Sequence, residues 1–164
     1  RRREDAAALA VLGARPVWLD FSDSQYGGSP PVNELAAALA ALLAAEMPSM
    51  VCCPAGLFHP DHVLTHQAML LARARHPALR WLMYEDALYR RAPGVLQRRL
   101  AELERAGIVA TPLPEQRGGA LGLKRRAMRC YKSQLRALAR IPDGYADAFA
   151  AESHWRLEAA PLGE

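Results

Sequence analysis

Histidine and carboxylate side chains crowd one short stretch of the chain. Phe58-His59-Pro60-Asp61-His62 puts two imidazoles and a carboxylate within four residues, and His66 follows His62 at helical i, i+4 spacing. Imidazole and carboxylate are ligands for a divalent metal such as zinc. The plain alternative is that Asp61 only caps a helix while the histidines pack or face water. For His66, a turn further along, packing is the simpler reading. A second stretch, Tyr84-Glu85-Asp86-Ala87-Leu88-Tyr89-Arg90-Arg91, gathers groups that can hydrogen-bond sugar hydroxyls or pair with an anion. Glu85, Asp86, Tyr89 and Arg90 are its candidates, against a solvated loop whose acids balance its arginines. Asp23 and Tyr26 stand in a Gly/Ser/Pro-rich loop and could line the same crevice.

These residues need elements to aim them. Arg3 to Gly13 has helical apolar spacing and ends on a glycine. Pro16 to Phe21 reads as a short strand. Asn33 can cap a helix running to about Glu46. Ser49 to Cys53 is continuously apolar, which suits a strand covered on both faces. Further helices are expected over 61–75, 93–106 and 120–140, with strands over 79–84 and 108–113 and near Trp155. Strands alternating with helices predict an α/β, Rossmann-like, doubly wound and mainly parallel sheet with helices on both faces. In such sheets ligands bind beyond the carboxyl ends of the strands, where both stretches fall. No repeat or linker divides residues 1–164, so a single domain is expected. A leading helix with no strand before it leads to the expectation that a first strand is absent from the chain.

Composition narrows the classes. At 164 residues, 51% hydrophobic and 23% charged, the chain has a globular make-up. No apolar run reaches the roughly 18 residues of a membrane span. Three cysteines, two of them adjacent, make a poor disulfide framework, so a reducing cytoplasm is expected. Of 21 basic residues only Lys124 and Lys132 are lysines, and 17 acids hold the net charge to +4. Arg125, Arg129, Lys132, Arg136 and Arg140 share one face of the expected 120–140 helix, with Leu121, Met128, Tyr131, Leu135 and Leu138 on another. That is the wet side of an amphipathic helix; no recognised nucleic-acid motif accompanies it, and no nucleic acid is expected as partner.

The stretch Phe58-His59-Pro60-Asp61-His62-Val63-Leu64-Thr65-His66-Gln67-Ala68 resembles the second signature of the PIG-L/LmbE-like N-deacetylases. More diffuse likenesses lie at Arg2 to Asp23, at Lys124 to Leu135 with its Ser133-Gln134 pair, and at Tyr145 to Trp155. The resemblance implies a zinc-dependent hydrolase, with zinc or another divalent metal as cofactor. The substrate it implies is an N-acetylated amino sugar or its glycoconjugate, which would lose its acetyl group. By the same resemblance His62 matches the zinc-ligating histidine. His59 matches the histidine that stabilises the oxyanion and protonates the leaving amine, and Asp61 the carboxylate that orients and charges it. The family's first signature, His-Pro-Asp-Asp-Glu, is not in the chain; with the missing strand it points to an incomplete N-terminus. A metal-free binding protein on the same fold is the alternative, and a basic-helix nucleic-acid binder a weaker one. A homo-oligomer is compatible with either of the first two.

Overall fold

The computed structural model describes residues 1–24, 27–114, 120–140 and 144–161. In chain order the elements are α1 (Arg2–Leu12), α2 (Val32–Glu46), β1 (Met50–Pro54), α3 (Pro60–Arg75), β2 (Arg80–Tyr84), a 3-10 turn (Tyr89–Arg91), α4 (Val95–Arg105), β3 (Ile108–Pro112), α5 (Ala120–Met128), α6 (Lys132–Leu138), α7 (Gly144–Ala148) and β4 (His154–Ala159). They gather into two compact units, Arg1–Leu19 with Glu115–Glu152, and Asp20–Pro114 with Ser153–Glu164.

The second unit holds the sheet, in the order β1-β2-β4-β3. β1 and β2 pair in parallel, while β4 pairs antiparallel with both β2 and β3. So β1, β2 and β3 run one way and β4 runs against them. This is the α/β class that alternating strands and helices predict, with one strand reversed. Side chains alternate across the pleat. Val51, Trp81 and Leu157 are in register on one face, as are Cys53, Met83 and Trp155. All but the half-buried Trp155 are buried, and with Ala55, Met69, Ala72, Leu103 and Ile108 they make the core. Met50, Cys52, Arg80, Arg156 and Glu158 alternate outward and are exposed, so the strand expected over Ser49 to Cys53 to be covered on both faces is buried on one, with Met50 and Cys52 on the open side. α3 lies against β1, α4 against β3, and α2 packs on α3.

In the first unit α1 packs on α5 through small residues, with Ala8 and Ala127 buried. Gly13, at φ 67°, closes α1 by returning its N–H to the Ala10 carbonyl. Lys124 donates to the Ala150 carbonyl at 2.7 Å and pairs with Glu152 at 2.6 Å.

Three local expectations are corrected. Pro16 to Phe21 is not a strand: no strand pairs with it among the described residues, and a strand without a ladder partner is not stable. Trp18 is instead half-exposed under the Arg2 guanidinium, 5.6 Å above its ring. The 120–140 helix is broken into α5 and α6, because the intervening turn tightens: Cys130 and Tyr131 donate to carbonyls three residues back. The Glu4 carboxylate takes both the Ser133 N–H, at 3.0 Å, and its hydroxyl, capping the new helix start. The basic stripe read along one helix therefore does not exist as a single face. Lastly, α2 starts at Val32 after Pro31, with Asn33 already inside it.

Candidate functional site

The site begins with a glycine. β1 ends at Pro54, and the Ala55 N–H extends the ladder to the Tyr84 carbonyl at 2.8 Å. Gly56 then turns the chain at φ 67°, a left-handed conformation that side chains disfavour. The turn is also crowded: a Cβ there would lie 2.7 Å from the His66 Cβ and 2.9 Å from the His62 carbonyl oxygen. This close approach lets α3 start directly over the end of β1. Its first turn follows a Pro at N1, and the N-cap is His59 rather than Asp61. The His59 Nδ1 accepts the Asp61 N–H at 3.3 Å.

That cap fixes the His59 tautomer. With Nδ1 accepting, the neutral ring carries its proton on Nε2, where it can be donated outward. The Asp61 carboxylate lies 3.7 Å from His59 Nδ1, beyond hydrogen-bond length, and its Oδ1 accepts the Ser24 N–H at 3.2 Å. Through Ser24 the loop carrying Asp23 is drawn to the site; Tyr26 lies outside the described residues.

His62 has a different partner. Its Nδ1 lies 3.0 Å from Asp86 Oδ1, an ion-pair distance off the line of an ideal hydrogen bond. Asp86 is buried, 1% exposed, and its other oxygen accepts the Leu57 N–H at 2.6 Å. The contact with the Asp86 carboxylate pushes the His62 imidazole above its ordinary pKa, outweighing the opposing effect of burial. Asp86 thus commits its oxygens to the His62 ring and the Leu57 amide.

Glu85 is likewise taken up by the fold. Its carboxylate accepts the Trp155 indole N–H at 2.9 Å, and its own N–H bonds the Ser153 carbonyl. Tyr89 reaches the site: its ring meets His62 edge-on at 6.2 Å between centroids. Arg90 sits in the same turn, its N–H bonded to the Asp86 carbonyl at 3.1 Å. So His59, Asp61, His62, Asp86 and Tyr89 share one place beyond the carboxyl ends of β1 and β2.

His66 is fully buried behind them, its Nδ1 2.9 Å from the Pro54 carbonyl. Burial pushes its pKa down, so it is a neutral latch between β1 and α3, as the packing reading expects. Sequence reasoning missed Arg99. From α4 it donates to the Gly56 carbonyl at 2.7 Å and pairs with Glu102 at 2.6 Å. No local pattern marks it, because its partner is 43 residues away. Arg99→Met is expected to lower the free energy of unfolding by about 1–3 kcal/mol, since it strands a carbonyl that was bonded to a charged donor. Urea denaturation monitored by tryptophan fluorescence measures this.

The donor set does not complete a metal site. His62 can offer only Nε2, and catalytic zinc takes about three protein ligands. Among the described residues no three His, Cys, Asp or Glu side chains are grouped to hold an ion. No catalytic step is therefore assigned to a metal.

With strands, loop and histidine pair in place, the chain can be set beside known proteins. No family model matches it, and no curated protein does. Solved structures do. A triple mutant of the deacetylase Orf2, of the teicoplanin biosynthetic pathway, is 22% identical, with a TM-score of 0.77 over 99% of this chain and 71% of that one. Dbv21, the deacetylase of the A40926 pseudoaglycone, is 23% identical, with a TM-score of 0.71 and the same coverage. The zinc-inhibited form of teicoplanin deacetylase Orf2 is 18% identical, with a TM-score of 0.69 over 99% of this chain and 74% of its own. At these identities the likeness establishes the shared fold.

Proposed function

We propose that the protein is an N-deacetylase of the PIG-L/LmbE-like type, acting on an N-acetylated amino sugar or its conjugate. One observation carries the reading: His62, held by buried Asp86, stands beside His59, whose Nε2 is left to donate, their ring centroids 5.4 Å apart. The fold shared with the deacetylases of the teicoplanin pathway and of the A40926 pseudoaglycone supports it.

Amide hydrolysis needs a base for water and a donor for the oxyanion and leaving amine. Asp86 keeps the proton on His62 Nδ1, so Nε2 presents its lone pair and can take a proton from water. His59 Nε2–H serves the complementary role, as hydrogen-bond donor to the oxyanion, and the proton that His62 takes from water is the one passed on to the departing nitrogen. The likeness to a zinc-inhibited relative makes zinc a natural additive to test, as inhibitor and as cofactor. The expected setting is the cytoplasm. Among the described residues no helix is long and apolar enough to cross a membrane.

The test is acetate release from N-acetylglucosamine and its glycosides, with and without added zinc. Turnover is expected, and His62→Ala and His59→Ala are each expected to lower kcat by roughly 10²–10⁴-fold, the usual contribution of a positioned acid or base. Sugar binding by calorimetry with no acetate released under any condition would replace this reading with that of a binding protein.

A further inference from the structure

Arg73 is a cation without a counterpart. It stands in the last turn of α3, half-buried, and its Nε is shut off from water with no hydrogen-bond partner among the described residues. A charged donor withdrawn from water and left unmet costs free energy. The helix C-terminus favours a positive charge in that turn, but the exposed Arg75 meets the same preference without being drawn inward.

Arg73 lines a cavity of about 570 Å³, within the unit that holds the sheet. Met50 and Arg80, the first residues of β1 and β2, line it too. So do Leu82 of β2 and Arg156 and Glu158 of β4. The histidine pair stands beyond the carboxyl ends of β1 and β2 and takes no part in this lining. The volume is that of a small-molecule site. Its charges do not balance. Arg156 pairs with Glu158 at 3.0 Å. Arg73 and Arg80 pair with no carboxylate among the described residues. Two positive charges therefore border one space, beside the aliphatic side chains of Met50 and Leu82.

We infer that this cavity is a second binding site, for a phosphate monoester that carries a small apolar group. A phosphate monoester brings about −1.5 to −2 charges at neutral pH, which matches two arginines where a carboxylate would match one. Guanidinium groups bind phosphate oxygens through paired N–H donors, and Arg73 Nε is a donor left over. Met50 and Leu82 give the apolar part of the ester a surface to cover. Hydration accounts for the exposed Arg80 taken alone, but not for the donor removed from water at Arg73. The site is independent of the deacetylase reading and stands or falls by itself.

The test is calorimetry at low salt with hexyl phosphate, inorganic phosphate, hexanoate and hexanol. Hexyl phosphate is expected to bind at least about tenfold more tightly than each of the others, since each lacks part of the match. Arg73→Met and Arg80→Met are each expected to weaken that binding at least about tenfold, the scale of one lost hydrogen bond to a charged group. Arg75→Met removes the same charge outside the cavity and is expected to leave the affinity within about twofold. Because Arg80 is exposed, Arg80→Met reads the site even where Arg73→Met fails to fold. No binding of hexyl phosphate at millimolar concentration overturns the site. So does equal binding of inorganic phosphate or hexanoate, unchanged binding in Arg80→Met, or an equal loss in Arg75→Met.

Discussion

Gly56→Ala is expected to destabilise the protein by about 2–5 kcal/mol. Two costs combine. A non-glycine residue in the left-handed region loses about 1–2 kcal/mol, and over-packing a fixed site costs about 1–3 kcal/mol more. The neighbours cannot yield easily, because they are the His62 carbonyl, the Val63 Cα and the Cβ of the buried His66. Gly107 supplies the control. It has φ 71°, but a Cβ added there would meet nothing within 4 Å, so Gly107→Ala carries the backbone cost alone. Chemical denaturation of the two variants separates the two costs. Equal losses in both would show that the close approach of loop and helix at Gly56 is not what holds the site.

The second large effect is expected at Asp86. Asp86→Asn keeps the side-chain shape but removes the charge that fixes the His62 tautomer. Turnover is expected to fall by roughly 10²-fold or more, within the range seen when an acid–base group loses its orientation. The same change has a signature independent of turnover. Asp86 raises the His62 pKa, so a proton NMR titration of the imidazole should show the midpoint moving down in Asp86→Asn. The sign for stability follows from that direction. A histidine with a raised folded pKa contributes stability fully below its unfolded pKa, near about 6.5, and loses it as pH rises through the folded value. Asp86→Asn should therefore lose more stability at about pH 5 than at about pH 8. An unchanged His62 midpoint would separate the two residues functionally.

How much of this is legible in the chain depends on sequence distance. The strands at Met50–Pro54, Arg80–Tyr84 and Ile108–Pro112 stand out as short apolar runs between helical stretches, although burial alternates along them and the runs alone overstate how much is covered. His59, Asp61 and His62 are visible because they are contiguous. Asp86 is visible as a candidate, but its job is not: holding His62 from the far end of β2 is a consequence of the β1–β2 register, which no local spacing encodes. Pro16 to Phe21 misleads for the reverse reason. Its composition favours a strand, but a strand also needs a partner. The 120–140 segment misleads because helical periodicity continues through Arg129–Tyr131, while the break is stabilised from outside by Glu4.

The reversed strand bears on how the sheet comes into being. β4 is the latest of the four strands in chain order, yet it lies between β2 and β3. On a ribosome, β1, β2 and β3 would all emerge before the strand that joins β3 to the other two. Until then Ile108, Ala110 and Trp81 lack the Leu157 and Ala159 neighbours they meet in the finished sheet, and Glu85 lacks Trp155. Such pairings are far apart in sequence, and contacts of that kind close slowly. The floor under the His62–Asp86 pair is thus completed late in synthesis, which makes the nascent chain's dependence on its last strand a property of the site as much as of the fold.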